Sequence, residues 1–474
     1  MLKRHHESKI AKLKAQVKCS NTEVRFLKQR VKELSQSRDL QKQKYKTLQS
    51  QKGQFLDKKT LKVIAIKRHK YDELTVKICV SLAIISGVSL RGVVAILLCI
   101  QAELGIFEEI PSKGSIDNWL KKVGFHRYGA YESYQYEEDY CLIIDDSMMV
   151  GSQRLLIILS VKASKLNQVA ISFSDVHIEC IAVKKSWTGE GIEAEIQKVK
   201  EKKGKNPLYC ISDSATIMLK AQNLALLTHI NDCSHGFSSI LEKSFKADED
   251  FIAWQKALGQ AKFKGVMKDY AYGRRSALLP PKQRTVARFM NIDESVIWSK
   301  EILENFKNLS MEEQIAFQWV KNHQDFVTNR LTLAFELTQK ILVILKNKGL
   351  SYKSIGECLK ICKEKAYKNI KDVLQRVSIF LQNEKSKLPN KKAIWHTCSD
   401  IIESMFGKFK YNLPTNPILG VTHSVLQLNI MTQPIGKIEI KSALENVFLS
   451  DLMRWKQEQL FDNQVVRKQK VFKK

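Results

Sequence analysis

The chain has 474 residues, 44% of them hydrophobic, with 78 Lys and Arg against 49 Asp and Glu for a formal net charge of +29. That length accommodates about two to four domains with a substantial core. The charge points to a polyanionic partner, because each phosphate neutralised by a basic side chain releases condensed counterions, and ten scattered cysteines without paired CxxC spacing exclude a disulfide-stapled secreted domain.

Residues 1–70 hold 21 Lys and Arg against 5 Asp and Glu, a net +16 and more than half of the total. Residues 7–55 contain no Pro, and their first Gly is Gly53. Ile10, Val17, Val24 and Val31 recur at one heptad position, and Leu13, Leu27 and Leu34 at the other. Tyr45, Leu48 and Phe55 continue the register, interrupted by Ser20, Arg38 and Gln41. β-branched residues at a and Leu at d predict a basic coiled coil over residues 1–56 that pairs two copies of the chain. A single basic helix lying along DNA is the other reading.

Residues 57–130 predict a small helical domain, with helices at Ile78–Ser86, Leu90–Leu104 and Ser115–Val123. The apolar run from Ile78 to Ile100 is too broken for a membrane span: Arg91 sits near its middle, and Ser86-Gly87 and Gly92 divide it. No lipidation signal accompanies the charge. Lys3-Arg4-His5-His6 is followed by charge rather than a secretory apolar core. A cytoplasmic location without membrane attachment is expected, with the thiols reduced and mostly buried. The last helix, with Lys121 and Lys122 at its basic end, is either the recognition helix of a helix-turn-helix or a plain connector.

Between residues 131 and 239 the period becomes two. Tyr140–Asp145, Arg154–Val161 and Val169–Val183 predict three strands, with Gly151-Ser152 as a hairpin turn and a turn or bulge near Asp175. A helix at Ile192–Lys202, a strand at Leu208–Ser212, a helix at about 215–225 and a strand near 227–230 follow. Three antiparallel strands, helix, strand, helix, strand is the order of an RNase H-like core. Residues 240–394 read as an all-helical insertion, residues 395–414 as a final helix, and residues 415–474 as a basic C-terminal region. The fold class expected is therefore multidomain α+β: an RNase H-like mixed-sheet core interrupted by a large helical insertion, preceded by a coiled coil and a small helical domain.

Acids stand at the edges of apolar segments: Asp145 and Asp146 after Leu142-Ile143-Ile144, Asp213 after Cys210-Ile211-Ser212, and Glu403 on the final helix. Unpaired acids are costly to bury, so such positions face a cleft or a cation. Three converging carboxylates suit Mg²⁺, or Mn²⁺, and phosphoryl-transfer chemistry. Alternation lets one of Asp145 and Asp146 face the site; Asp145 is preferred, with Asp146 as the other candidate. Local readings compete. Asp400 and Glu403 have capping-box spacing, Asp213-Ser214 could start a helix, and Asp145-Asp146-Ser147 could shoulder a hairpin. Asp232 and His235 either flank the site or cap a turn. Lys282, Arg284 and Arg288 after Pro280-Pro281 suggest a phosphate-binding loop or a solvated face. Trp254, Trp298 and Trp319 read as packing residues of the insertion, with stacking on a flipped base as the other reading.

On this core order and these acids, with 190 residues between Asp213 and Glu403, the chain resembles the DDE transposases of bacterial insertion sequences. Many of these carry, on their last helix, Tyr, two residues, Arg, three residues, Glu, six residues, Lys. Glu403 and Lys410 match the Glu and Lys; His396 and Ser399 stand where Tyr and Arg would be. The resemblance implies a metal-dependent DNA transposase. Asp145, Asp213 and Glu403 would be its catalytic ligands for two ions, and Lys410 and Lys408 would contact DNA. Its partners would be terminal inverted repeats and target DNA, bound by a homodimer, nucleoid-associated in a bacterial cell. A metal-dependent RNase H-like nuclease and a non-catalytic DNA-binding descendant are the alternatives.

Overall fold

The alternating stretch that begins at Tyr140 folds as expected into antiparallel strands: β1 (Tyr140–Val150), β2 (Gln153–Lys162) and β3 (Val176–Lys184). Two short strands, β4 (Cys210–Ser212) and β5 (His229–Asn231), continue the sheet in parallel with β1, giving the order β3-β2-β1-β4-β5. The computed structural model describes residues 64–474 except 106, 108, 133–137, 151–152, 167–170, 273–277, 284–287, 412–420, 433–434, 461–470 and 473–474. Of residues 1–63 it describes 35, 38, 39 and 42, all helical. The coiled coil expected over residues 1–56 otherwise lies outside the described residues. Contacts divide the chain into units Met1–Ile64 and Ala65–Lys474; the architecture below is that of the second.

Both faces of the sheet are covered, which is why Leu142-Ile143-Ile144 is continuously apolar rather than alternating. Tyr140, Leu142, Ile144, Leu156 and Ile158 pack under helices α4 (Gly189–Lys203) and α5 (Thr216–Leu224). Thr188 caps α4 by accepting from the Gly191 amide at 3.1 Å, and Gly204 ends it in the left-handed region at φ +68°. A short 3₁₀ turn, Phe173–Asp175, precedes β3, so that strand starts later than Val169, at the turn expected near Asp175.

On the opposite face Cys141, Ile143, Leu155, Ile157 and Leu159 join one large core with the helical insertion. This comprises α6 (Cys233–Phe245), α7 (Glu249–Tyr272), α8 (Asp293–Asn305), α9 (Met311–Asn322), α10 (Thr332–Lys348), α11 (Tyr352–Ile361) and α12 (Lys371–Ser386), and is followed by α13 (Asp400–Tyr411). α13 contributes Ile402, Met405, Phe406 and Phe409 to the same core. Trp254 is 1% exposed and donates to Ser299 Oγ at 3.2 Å, while Trp298 and Trp319 stack 6.0 Å apart. All three serve packing within the insertion.

Residues 64–132 form α1 (Glu73–Ile84), α2 (Leu90–Leu104) and α3 (Lys113–Glu132). These helices do not have a core of their own: Val76, Leu97, Ile116, Trp119 and Val123 share one with Ile430, Ile440 and Leu444, the last two from α14 (Lys437–Asn446). Arg127, 4% exposed, grips Glu439 with Nε and Nη2, both at 2.7 Å, and reaches the carbonyls of Asn429 and Ile430. Gly124 lets the two segments touch, since a Cβ there would stand 2.2 Å from the Leu426 carbonyl oxygen. α1–α3 and the C-terminal segment that includes α14 thus share one core. Among the described residues no helix is long and apolar enough to cross a membrane.

Candidate active site

β1 and β4 are neighbouring parallel strands pairing Leu142 with Cys210 and Ile143 with Ile211, a register that, carried two residues further, sets Asp145, midway along β1, level with Asp213 just past the end of β4. Asp213 immediately follows β4, and its carboxylate accepts from the Ala215 amide at 3.2 Å. It does not cap α5, whose N-cap is Ala215. On β1, Asp145 pairs with Ile157, and alternation assigns it to the face of Cys141 and Ile143, which α13 covers. The register slips between Asp145 and Met148. This bulge lies before the hairpin turn, so the acid pair is not the hairpin's shoulder. Asp146 is 6% exposed and bonded by Arg154 Nη1 at 3.2 Å.

α6 begins directly after β5 and brings His235 between two of the acids. His235 Nε2 lies 3.3 Å from Glu403 Oε1 on α13. The bond to Glu403 raises the His235 pKa to about 9, with Asp232 and Asp213 adding to the effect against burial. At neutral pH this side chain is an imidazolium donating to Glu403. Asp213 titrates above the ordinary carboxylate value, first because burial penalises its charge and further because Asp146 and Asp232 are acids nearby; the Ala215 amide and His235 oppose the shift. Asp213, His235 and Glu403 therefore form one electrostatic group, to which Asp146 and Asp232 couple.

Asp232 positions this group. It is 1% exposed and caps α6 through the His235 amide at 2.9 Å, while its other oxygen accepts from the Ser399 amide and hydroxyl. One carboxylate thus ties the start of the His235 helix to the start of the Glu403 helix. Thr397 Oγ1 donates to the Asn231 carbonyl at 3.0 Å, and the Cys233 amide to the Thr397 carbonyl at 2.9 Å. Asp232, Cys398 and Asp400 lie close enough to share an ion, but their chemistry suits a clasp better. Asp232 already accepts three hydrogen bonds, Asp400 is paired with Lys346 and Ser234, and the Cys233 bond and burial hold the Cys398 thiol protonated.

The two positions that depart from the Tyr-Arg-Glu-Lys pattern are structural. The His396 amide donates to the Tyr209 hydroxyl oxygen at 2.8 Å, and burial holds the His396 ring neutral, with a pKa of about 4. Ser399 is spent on Asp232. Glu403 turns to His235, so its function is not to cap its own helix. Gly407 is exposed, and a Cβ there would meet nothing within 4 Å, leaving open space on the helix between Glu403 and Lys410. Lys410 is exposed; Lys408 lies over the Phe173 ring, 4.2 Å from its centroid.

The other basic candidates are placed differently. Lys282 is exposed, while Arg284 and the Arg288 side chain lie outside the described residues. Lys121 is paired with Asp117, and Lys122 is half-buried, its pKa lowered by desolvation. Neither offers a free basic face on α3. The residue that sequence reasoning undervalued is His235. The only signal was Asp232 three positions before it, the spacing of an N-cap.

Neither protein-family models nor curated proteins yield a match to this chain.

Proposed function

We propose that the chain is a DNA transposase that cuts and joins DNA at the carboxylate group of Asp145, Asp213 and Glu403. The observation carrying this reading is the convergence of Asp213 and Glu403 on His235, with Asp145 level with Asp213 on the neighbouring strand, although the two acids are 190 positions apart. The strand order β3-β2-β1-β4-β5 supports reading the sheet as an RNase H-like core, and the net charge of +29 suits a polyanionic substrate.

The donor set fits Mg²⁺ or Mn²⁺: hard carboxylate oxygens, with Asp213 destabilised as an anion by burial and by neighbouring acids. Asp145, Asp213 and Glu403 would hold two ions. Bound there, divalent cations supply charge to the attacking and leaving oxygens of an in-line phosphoryl transfer. The chain's own residues do the rest. Asp232 and Ser399 fix the two helices that carry His235 and Glu403. His235 holds a proton on Nε2 against Glu403. Lys410, one turn beyond the open surface of Gly407, is placed to hold a phosphate.

The test is metal-dependent cleavage and strand transfer on duplex DNA carrying the sequences that flank the coding region. Asp213→Ala is expected to abolish both while leaving DNA binding intact; full activity in this variant would overturn the assignment. One observation favours a second reading. Lys121 and Lys122 are engaged within the fold, so α3 lacks the free basic end that recognition of element ends would use. Cleavage of an RNA–DNA hybrid in preference to duplex DNA would identify a metal-dependent nuclease instead.

A further inference from the structure

Two segments bring four lysines, none of them part of the carboxylate group, to one concavity of about 310 Å³. Lys348 and Lys353 come from the α10–α11 junction, Lys391 and Lys392 from the stretch before α13, and Ser351 and Ser354 line the floor. The segments are joined by reciprocal backbone bonds, Leu350 N to Trp395 O at 2.7 Å and Trp395 N to Leu350 O at 3.0 Å. Gly349, at φ +68°, permits this approach: a Cβ there would stand 2.8 Å from Ile394 Cγ2 and 3.0 Å from the Trp395 carbonyl oxygen. Trp395 is anchored in turn by stacking on Tyr209, 4.2 Å between centroids.

Folding therefore spends a specific backbone arrangement on placing like charges together. Lys348 has a partner, Glu357. Among the described residues no carboxylate lies within ion-pair distance of Lys353, Lys391 or Lys392, and all three are exposed. The start of α11 does not account for the site, because its capping box already engages the Ser351 and Ser354 hydroxyls and the Ser354 amide. What remains available is ammonium charge gathered in one concavity, with Glu357, the partner of Lys348, as the acid whose charge also reaches Lys353.

We propose that Lys353, Lys391 and Lys392 form a sequence-independent docking site for the phosphate backbone of duplex DNA, separate from the carboxylate site. Ammonium groups act as point charges and read no base edges, so such a site positions DNA without specifying sequence. Lys391 and Lys392 precede α13 by a few residues, and DNA held here is tethered to the segment that leads directly to Glu403. The inference rests on DNA being the substrate, as in the function proposed above, but not on the catalytic assignment.

The test uses the full chain and a labelled duplex of arbitrary sequence, with binding followed by fluorescence anisotropy across a potassium chloride series. The triple variant Lys353→Gln/Lys391→Gln/Lys392→Gln is compared with a charge-matched control on α7, Lys256→Gln/Lys262→Gln/Lys264→Gln, after thermal melts establish that both are folded. Loss of up to three phosphate contacts lowers the slope of log K against log salt by about 2 to 3. At about 0.1 M salt the affinity should fall at least tenfold in the pocket variant and much less in the control. An unchanged slope, or equal losses in both variants, overturns the proposal. Titration with inorganic phosphate separates a backbone site from a free-anion site: phosphate binding lost in the triple variant while its DNA slope is retained would also overturn it. Metal-dependent cleavage is scored in parallel. Cleavage by the wild type with an unaltered slope in the variant removes the docking site and leaves the catalytic reading. A reduced slope without wild-type cleavage does the reverse.

Discussion

His235 is the residue on which the site's electrostatics turn. Its pKa of about 9 comes first from Glu403, so Glu403→Gln should return the imidazole toward the free value of about 6.5. In metal-free protein an NMR titration of His235 reads this directly; an unmoved midpoint would show that Glu403 is not the partner that charges it. The two β1 acids separate by another measurement. Asp146 is bonded by Arg154, whereas alternation gives Asp145 the face toward α13. Asp145→Asn should therefore remove metal-dependent cleavage by 10²-fold or more, on the order of 3 kcal/mol of transition-state stabilisation. Asp146→Asn should retain most of it. The opposite ranking would assign the ligand to Asp146, whose charge Asp213 also feels. Sequence alternation left these two acids unresolved because the β-bulge falls between Asp145 and Met148, where period two ceases to hold.

At the scale of elements, α3 is the member whose sequence and structure differ most informatively. Its apolar face and basic end read as either a recognition helix or a plain connector, and Arg127 and Gly124 lock it against the C-terminal helical segment. Arg127→Ala leaves Glu439 without its bidentate partner in a largely buried setting and should cost roughly 3 kcal/mol of unfolding free energy. Gly124→Ala forces a Cβ against the Leu426 carbonyl and should cost about 1–3 kcal/mol. Denaturant midpoints check both, and a midpoint equal to wild type in either would mean that the contact yields without penalty. The strands and the helices between them were legible because period-two and period-3.6 patterns are local. The pairing of α3 with residues 426–444 was not, since partners some 300 positions apart leave no mark in either segment's periodicity. The lysine concavity was invisible for the same reason: Lys353 and Lys391 meet only through a glycine and two backbone hydrogen bonds.

The whole molecule carries its own pH signature. Burial holds His177, His229, His396 and His423 at a pKa of about 4 in the folded chain. Unfolded, each would titrate near 6.5. Between those values the unfolded chain binds protons that the folded chain refuses, so these four withdraw stability as pH falls from about 6.5 to about 4, while His235, raised to about 9, withdraws its own share as pH rises from about 6.5 to about 9. Denaturant unfolding at pH 7.5 and at pH 5 should show a lower midpoint at pH 5; equal midpoints would mean that these imidazoles protonate without unfolding.

The insertion also leaves the sheet and returns to it at a single point, where Asp232 and Ser399, Asn231 and Thr397, and Cys233 and Thr397 are joined by hydrogen bonds. A segment whose two ends coincide can change length on its outer turns without moving those ends, even though its inner helices share the sheet's core. A flexible loop lengthened there costs only about 0.6 kcal/mol for each doubling. Residues can be gained or lost along its outer turns while the spacing between Asp213 and Glu403 stays as the clasp sets it. Such a chain can vary its outer surface without disturbing the clasp that sets its acids.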